Sequence, residues 1–515
     1  MQRRNAFIQY WLPGFLVFSL YLLVGKIYTL AYPYAMIAGD SFTLYDTGPN
    51  LLFPLRVSMH DAFRMPVYGF FWRIAGKFLQ PSQAALWVNF FGISITMALW
   101  YGALFGVTKK QSASAVLSTI SLVLITFSMR QFYVGGMALD DSLFSSFAFS
   151  GLLLVFLGYV FQKKSATFAG MGVLGLAIFT KPIGVCLLPL WIPFVLWESL
   201  RFSNIKKRGM HILICVLLLL GPMTLWSARQ YALYGFFRSN AFGAVHLLAN
   251  VLPFVEQDDI LLENTEHDTQ FKESLLLFED IHGKDRIKYL WYDRVNSKGA
   301  NPFVQLELQN NLFVNPNLRP RAYVQSQFAV AEIAMNVALR IIRLHPRQYI
   351  HMTLQNFWDF FPFEANAIQE SLEDTYRIRV KKIEKLPFYF PPDGTPRLSE
   401  RNANTQALLT AYCCNNSVRT FLQKRKTAFS YGVMILFLWH GIGLYKQRKR
   451  RESALYASFL LGFLLLSQTI LYYALTSATA FPVDRYATVG EPGLLFATVL
   501  GIYSATVTVL RLKHR

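Results

Sequence analysis

Stretches of about 20 mostly apolar residues recur along this chain, at 10–31, 83–107, 112–129, 141–161, 166–180, 183–199, 209–227, 428–445, 454–476 and 490–510. Each is close to the length that crosses the hydrocarbon layer as a helix. Backbone N–H and C=O groups find no water there, so a lone spanning segment must satisfy them internally. The sequence therefore predicts about ten transmembrane helices, of which 166–180 and 183–199 are the shortest. The composition agrees: 53% of the 515 residues are hydrophobic and 16% aromatic, and the mean hydropathy is +0.31. A water-soluble domain does not carry that load. The opening "MQRRNAFIQYWLPGFLVFSLYLLVGKIYTLAYP" has a basic flank but no small-residue cleavage site, and reads as a retained first helix.

A formal charge of +20 would suggest nucleic acid if it formed a surface stripe. Here the basic residues fall in short clusters between apolar segments, and nucleic acid is not expected as a partner. "QRRN" at the start, Lys109–Lys110, "QKKS" near Lys163, "RFSNIKKRG" at 201–209, "KQRKRRES" at 446–453 and the final "RLKHR" alternate with less basic loops. One assignment, with all six clusters and both termini in the cytoplasm, satisfies the positive-inside rule. The other loops (32–82, 129–140, the turn near Lys181, 228–427 and 477–489) then face the opposite compartment. The chain divides accordingly into an N-terminal transmembrane region at 1–227, an extracytoplasmic segment at 228–427, and C-terminal transmembrane helices at 428–515. Within the middle segment, "AEIAMNVALRIIRLHPRQYIHMTLQNFWDFF" has amphipathic helical spacing broken by Pro346, and "EKLPFYFPPDGTPRLSERN" reads as a loop. The expected fold is an all-α polytopic membrane protein with a mainly helical extracytoplasmic segment.

Four cysteines indicate no metal or disulfide framework: Cys186 and Cys215 lie in apolar spans, and adjacent Cys413 and Cys414 would bridge only under strain. His345, His351 and Trp358 read as ordinary amphipathic-helix residues. "NNS" at Asn415–Ser417 matches a glycosylation sequon by pattern alone.

Acids collect at the outward boundary. Asp40 and Asp46 follow the first helix in "AGDSFTLYDTG", and Asp140 and Asp141 open the fourth in "GGMALDDSLFSSF". Boundary carboxylates are costly unless they line a wet cavity, which makes them functional candidates. Helix capping is the bland alternative and is preferred for Asp46 and Asp140; function is preferred for Asp40 and Asp141. Cations face the same compartment: Arg56, Arg64, Arg130, Lys181, Arg229, Arg238 and Arg485. An anionic headgroup is one reason to keep basic residues there, since arginine grips it with paired donors and lysine as a point charge. Lys181 stands apart, because "AIFTKPIGVCLL" sets a lone cation between two apolar runs. Tyr45, Tyr68, Arg229 and Tyr486 are further candidates for contact with substrate.

Together these stretches resemble the polyprenyl-phosphate-dependent glycosyltransferases of the GT-C fold, in particular the protein-mannosyltransferase-like and aminoarabinose-transferase-like group. The resemblance rests on "GDSFTLY", "RMPVYGFFWRI", "DDSLF", "GLAIFTKP" and "DRYATVGEPGLL", in that order along the chain. It implies a GT-C-like transmembrane core with Asp40 as base toward the acceptor hydroxyl and Asp141 as second acid. It also implies Lys181, Arg485 and Arg64 on the donor phosphate. The chain departs from the pattern at Asp40–Ser41, where relatives often have an Asp–Glu pair, and at Pro66–Gly69, where Pro-Gly-Tyr-Pro is common. The expected partners are a polyprenyl-phosphate sugar, a lipid, glycan or protein acceptor, and membrane lipids. The residues define no cofactor, and the second carboxylate is compatible either with hydrogen bonds to sugar hydroxyls or with holding a divalent cation. The expected location is a bacterial cytoplasmic membrane with the site facing the periplasm or outside. Three rival readings remain: a polyprenyl-diphosphate oligosaccharide ligase or polymerase, a transporter or flippase of lipid-linked sugars, and a non-catalytic relative acting as an assembly subunit.

Overall fold

A computed structural model describes residues 2–32, 34–35, 41–58, 60–62, 64–127, 135–200, 204–251, 320–360, 426–450, 453–479 and 484–513. Asp40, Arg130, the proline-rich loop at 384–402, Cys413–Cys414 and the sequon lie outside these residues, as does the side chain of Arg485. No β-strand occurs among the described residues.

The chain enters with α1 (Gln2–Ala31), followed by two short elements, α2 (Ser41–Thr47) with a 3-10 turn at Gly48–Leu51, and α3 (Pro66–Ala75). The bundle continues with α4 (Pro81–Thr108), α5 (Gln111–Phe127), α6 (Asp140–Phe161) and α7 (Lys164–Thr180). A second 3-10 turn at Pro182–Leu187 then runs into α8 (Leu188–Ser199), and α9 follows (Ile205–Tyr234). Beyond the bundle come α10 (Phe242–Val251), α11 (Pro320–Leu344) and α12 (Pro346–Asp359). The chain returns with α13 (Lys426–Lys446), α14 (Ala454–Thr479) and α15 (Asp484–Lys513). Every expected apolar span coincides with a helix or a helix with its leading turn. By length and composition 7 described segments suffice to cross a membrane, and 111–126 and 164–180 are shorter apolar helices. The protein is an all-α polytopic membrane protein. The middle segment is mainly helical where described, and α9 runs through the expected boundary at 228 to end at Tyr234.

Tight turns keep sequential helices antiparallel. Lys109 (φ 56°) and Gln162 (φ 53°) take the left-handed conformation that closes α4 and α6. Between α6 and α7 the backbones touch. A Cβ on Gly151 would lie 2.9 Å from the Leu174 nitrogen, and one on Gly170 would lie 2.7 Å from that of Val155. Small residues are what let membrane helices approach so closely. Hydroxyls add bonds across the seams, such as Thr96 Oγ1 with Ser150 Oγ at 2.9 Å, and Trp100 Nε1 donating to Ser121 Oγ at 2.8 Å. In α15, Pro492 removes one helical donor. Nearby, Ser145 donates to the Val489 carbonyl at 2.8 Å and Thr469 to that of Gly490 at 3.3 Å.

Apolar side chains cover both sides of these helices. Trp72, Trp100, Trp191 and Tyr473 are fully buried in the interior, whereas Phe15, Leu217 and Ile435 point outward on α1, α9 and α13. A separate core joins the end of α9 to α10 and α11 through Tyr234, Leu248, Val324, Phe328 and Ala331. This second core, with α2, α3 and α12, sits at one end of the bundle. The basic turns at Lys109–Lys110 and Lys163–Lys164 sit at the other, where Lys109 Nζ lies 4.9 Å from the Phe161 ring centre.

Candidate functional site

Lys181 marks the place where α7 must stop. Pro182 lacks an N–H and pushes the residue before it out of helical geometry, and Lys181 is accordingly extended (φ −142°, ψ 121°). Its side chain is thereby turned toward the first turn of α6. There Nζ bonds Asp141 Oδ1 and lies 4.0 Å from Asp140 Oδ1. It also stands 4.6 Å from the centre of the Tyr486 ring, in the first turn of α15. Asp141 is almost fully buried, with 1% of its side chain exposed, and Lys181 keeps 14%. Burying two such charges costs several kcal/mol per ion. The pairing, the positive end of the α6 dipole and the cation–π contact offset that cost.

Two tyrosines complete the surroundings. Tyr68 of α3 is fully buried. Burial raises its phenol well above the usual range, Asn89 works against that, and the fields of Asp140 and Asp141 add to the rise, so it stays a neutral donor. Tyr472 of α14 packs its ring 5.6 Å from Phe144 and lies within electrostatic reach of Asp141 and Tyr486. Among the described residues neither Asp141 Oδ2 nor the Tyr472 hydroxyl has a hydrogen-bond partner. No group of three or more His, Cys, Asp or Glu among the described residues is placed to hold a metal.

The first loop forms a second layer beside this cluster. Gly48 and Gly69 make it possible: a Cβ on Gly69 would fall 1.9 Å from the Leu44 carbonyl oxygen, so α2 and α3 touch backbone to backbone. Arg64 Nε donates to Thr43 Oγ1 at 2.9 Å, placing Arg64 on α2. Arg73 donates to the Tyr45 carbonyl at 2.8 Å and covers the Tyr45 ring at 4.1 Å. Asp46 accepts from Arg56 at 3.3 Å and from the Ser58 hydroxyl.

Asp61, which the sequence did not single out, is the hub of this layer. It is fully buried. Oδ1 accepts from Asn50; Oδ2 accepts from the Tyr234 hydroxyl at 2.6 Å, Arg229 at 3.0 Å and the Ser58 backbone N–H at 3.3 Å. Arg229 spends its remaining donors on the carbonyls of Pro54 (2.6 Å) and Arg56 and on Gln230 (3.4 Å). Its guanidinium also stacks 4.4 Å from the Trp226 ring centre. The loop is thereby riveted to the end of α9.

Of the residues expected at a site, the structure brings Tyr68, Asp141, Lys181 and Tyr486 into one cluster. It sets Arg64 and Tyr45 in the neighbouring first-loop layer and Arg229 in the Asp61 hub. Asp40 immediately precedes α2 in the sequence. Sequence reasoning missed Asp61, Asn50, Tyr234 and Tyr472. The available signal for Asp61 was an acid, "HDAFR", in an otherwise basic stretch; Tyr472 gave none, being one aromatic in an apolar run. At the other end of the bundle, Glu198 and His211 form a further buried pair at 3.6 Å, also unforeseen.

No family model matches the chain, and no curated protein matches it. Two solved structures align with it. One is the crystal structure of ArnT from Cupriavidus metallidurans bound to undecaprenyl phosphate, with 11% identity over 95% of this chain and 77% of that one, and a TM-score of 0.32. The other is the same protein in the apo state, with 13% identity over 95% and 76% of the two chains, and a TM-score of 0.29. At such scores the superposition fixes no residue correspondence.

Proposed function

We propose that the chain is a membrane glycosyltransferase that moves a sugar from a polyprenyl-phosphate donor to an acceptor at the extracytoplasmic end of the bundle. One observation carries the reading. Five short stretches, scattered from residue 39 to residue 495, supply the elements gathered at one bundle end: α2, α3, the start of α6, the end of α7 and the start of α15. Four of them meet around Lys181. A buried lysine between carboxylates, where spanning helices end, suits a ligand with an anionic head and an apolar tail. The basic turns at the opposite bundle end favour that end as cytoplasmic.

The proposed chemistry is a single displacement, with the roles that the resemblance implies. Asp40 takes the proton of the acceptor hydroxyl as its oxygen attacks the anomeric carbon. The bond from that carbon to the phosphate oxygen breaks, and polyprenyl phosphate leaves with the electron pair. In-line attack inverts the configuration. Lys181, with Arg485 next to Tyr486 and Arg64 on α2, stabilises the charge that develops on the phosphate, usually the larger electrostatic contribution. An incoming phosphate draws Lys181 away from Asp141, whose carboxylate then accepts from sugar hydroxyls. Tyr68 and Tyr472 offer further hydrogen bonds.

The test is turnover by purified protein against a panel of polyprenyl-phosphate sugars, read as release of free polyprenyl phosphate. Asp40→Asn is expected to retain donor binding and lose roughly 10²–10⁴ in rate, the usual contribution of a general base. Undiminished turnover would remove Asp40 from that role. Absence of binding and turnover with every donor would overturn the monophosphate reading.

A further inference from the structure

The helix α12 packs against the end of α14. The Tyr349 hydroxyl donates to the Ala478 carbonyl at 2.9 Å, Asn356 Nδ2 donates to that of Ser477 at 3.4 Å, and Phe360 stacks on Tyr473 with ring centres 5.0 Å apart. Ser477 and Ala478 belong to the final turn of the apolar segment Ala454–Thr479. Those bonds therefore set α12 at the level where the hydrocarbon layer gives way to headgroups. Its outer side carries apolar residues with basic ones in its N-terminal half. Ile350, Leu354 and Trp358 follow at four-residue steps and are 57%, 52% and 41% exposed, forming one apolar stripe. Arg347, one turn before Ile350, and His351 are exposed on the same side of the helix as the stripe, with Arg343 exposed at the end of α11. A helix with one face on protein and an open face that joins an apolar stripe to basic residues matches the bilayer interface in depth and charge.

We propose that α12 is an interfacial anchor whose partner is the headgroup layer of the leaflet at this end of the bundle. Ile350, Leu354 and Trp358 enter the acyl boundary, and Arg343 and Arg347 bind the phosphates of anionic phospholipids. Because α12 is bonded to the last turn of α14 and stacked on Tyr473, beside Tyr472, the anchor also fixes one wall of the Lys181 cluster against the membrane. The inference is independent of glycosyl transfer.

Two measurements on the full chain in lipid bilayers test it. The first is the difference in tryptophan emission between the wild type and Trp358→Phe, with brominated phosphatidylcholines and aqueous acrylamide as quenchers. The difference emission is expected to be quenched most by bromines near the carbonyl end of the acyl chains, and little by acrylamide. Quenching by acrylamide alone would place Trp358 in water and overturn the anchor. The second measures preference for spin-labelled phosphatidylglycerol over phosphatidylcholine in the wild type and in Arg343→Gln/Arg347→Gln. Removing both arginines is expected to lower the preference by roughly fivefold for each, the effect of one basic residue at an anionic surface. An unchanged preference would overturn the headgroup assignment while leaving the apolar anchor to the first measurement.

Discussion

Asp61 shows how much one residue can hold: its two carboxylate oxygens accept four hydrogen bonds. Its carboxylate is fully buried and accepts from the first loop and from α9. Asp61→Ala leaves the Arg229 guanidinium, only 8% exposed, without its counter-charge. The expected loss is about 3–5 kcal/mol, the usual cost of breaking a buried pair from one side. Thermal unfolding in detergent would read it, and the loss should be smaller when Arg229→Ala is already present. His60, next in the chain, carries a pH signature. Burial lowers its pKa from 6.5, opposed by Asp46, with Arg64 lowering it further and Asp61 raising it. The unfolded chain therefore binds a proton before the folded one does. This contribution to stability is fully present above pH 6.5 and is lost as pH falls from there toward the folded value. Thermal midpoints across that window should fall less steeply for His60→Gln than for the wild type; equal slopes would refute the burial argument. Asp61 was illegible in the sequence because its partners Arg229 and Tyr234 lie 168 and 173 positions away. Lys181 was legible because a lysine before a proline inside an apolar run is a conflict that local structure alone cannot resolve.

Among elements, the spanning helices were the most legible, since the hydrocarbon layer imposes both their length and their conformation. Short elements at the bundle end were not. Nothing in "SFTLYDT" says that it packs backbone to backbone against "PVYGFFWRIA"; that depends on Gly48 and Gly69 facing each other across 21 residues. Gly69→Ala would place a methyl group 1.9 Å from the Leu44 carbonyl oxygen, which is backbone and has no rotamer to escape into. The expected cost is about 1–3 kcal/mol of overpacking, with looser packing of α2. Hydrogen exchange over residues 41–51 should rise in this variant, while exchange in α6 and α7 should not change.

At the scale of the whole molecule, the charge pattern and the helix directions agree on one orientation. Single cysteines introduced at Leu55 and at Lys109, with Cys413 and Cys414 replaced by serine, give a direct check. An impermeant thiol reagent applied to intact cells should label Leu55→Cys, and should reach Lys109→Cys only after lysis. The opposite pattern would invert the orientation and put the Lys181 cluster in the cytoplasm. The cluster itself was only half legible: a sequence shows which residues are costly at a boundary, but not which of several costly residues converge. Tyr68, Asp141, Lys181 and Tyr486 meet because four separate elements end at one place, and that is a property of the assembled bundle.

The glycine seam between α6 and α7 has a mechanical consequence. Asp141 opens one of these helices and Lys181 follows the other, and their backbones touch at Gly151 and Gly170, leaving no side-chain layer to slide. The backbones that carry the acid and the lysine are therefore mounted on a single stiff strut and shift together, so the two groups part only by rotation of their side chains. Rearrangement at this end of the bundle is therefore left to elements outside the α6–α7 pair, such as the start of α15, where Pro492 removes one helical donor.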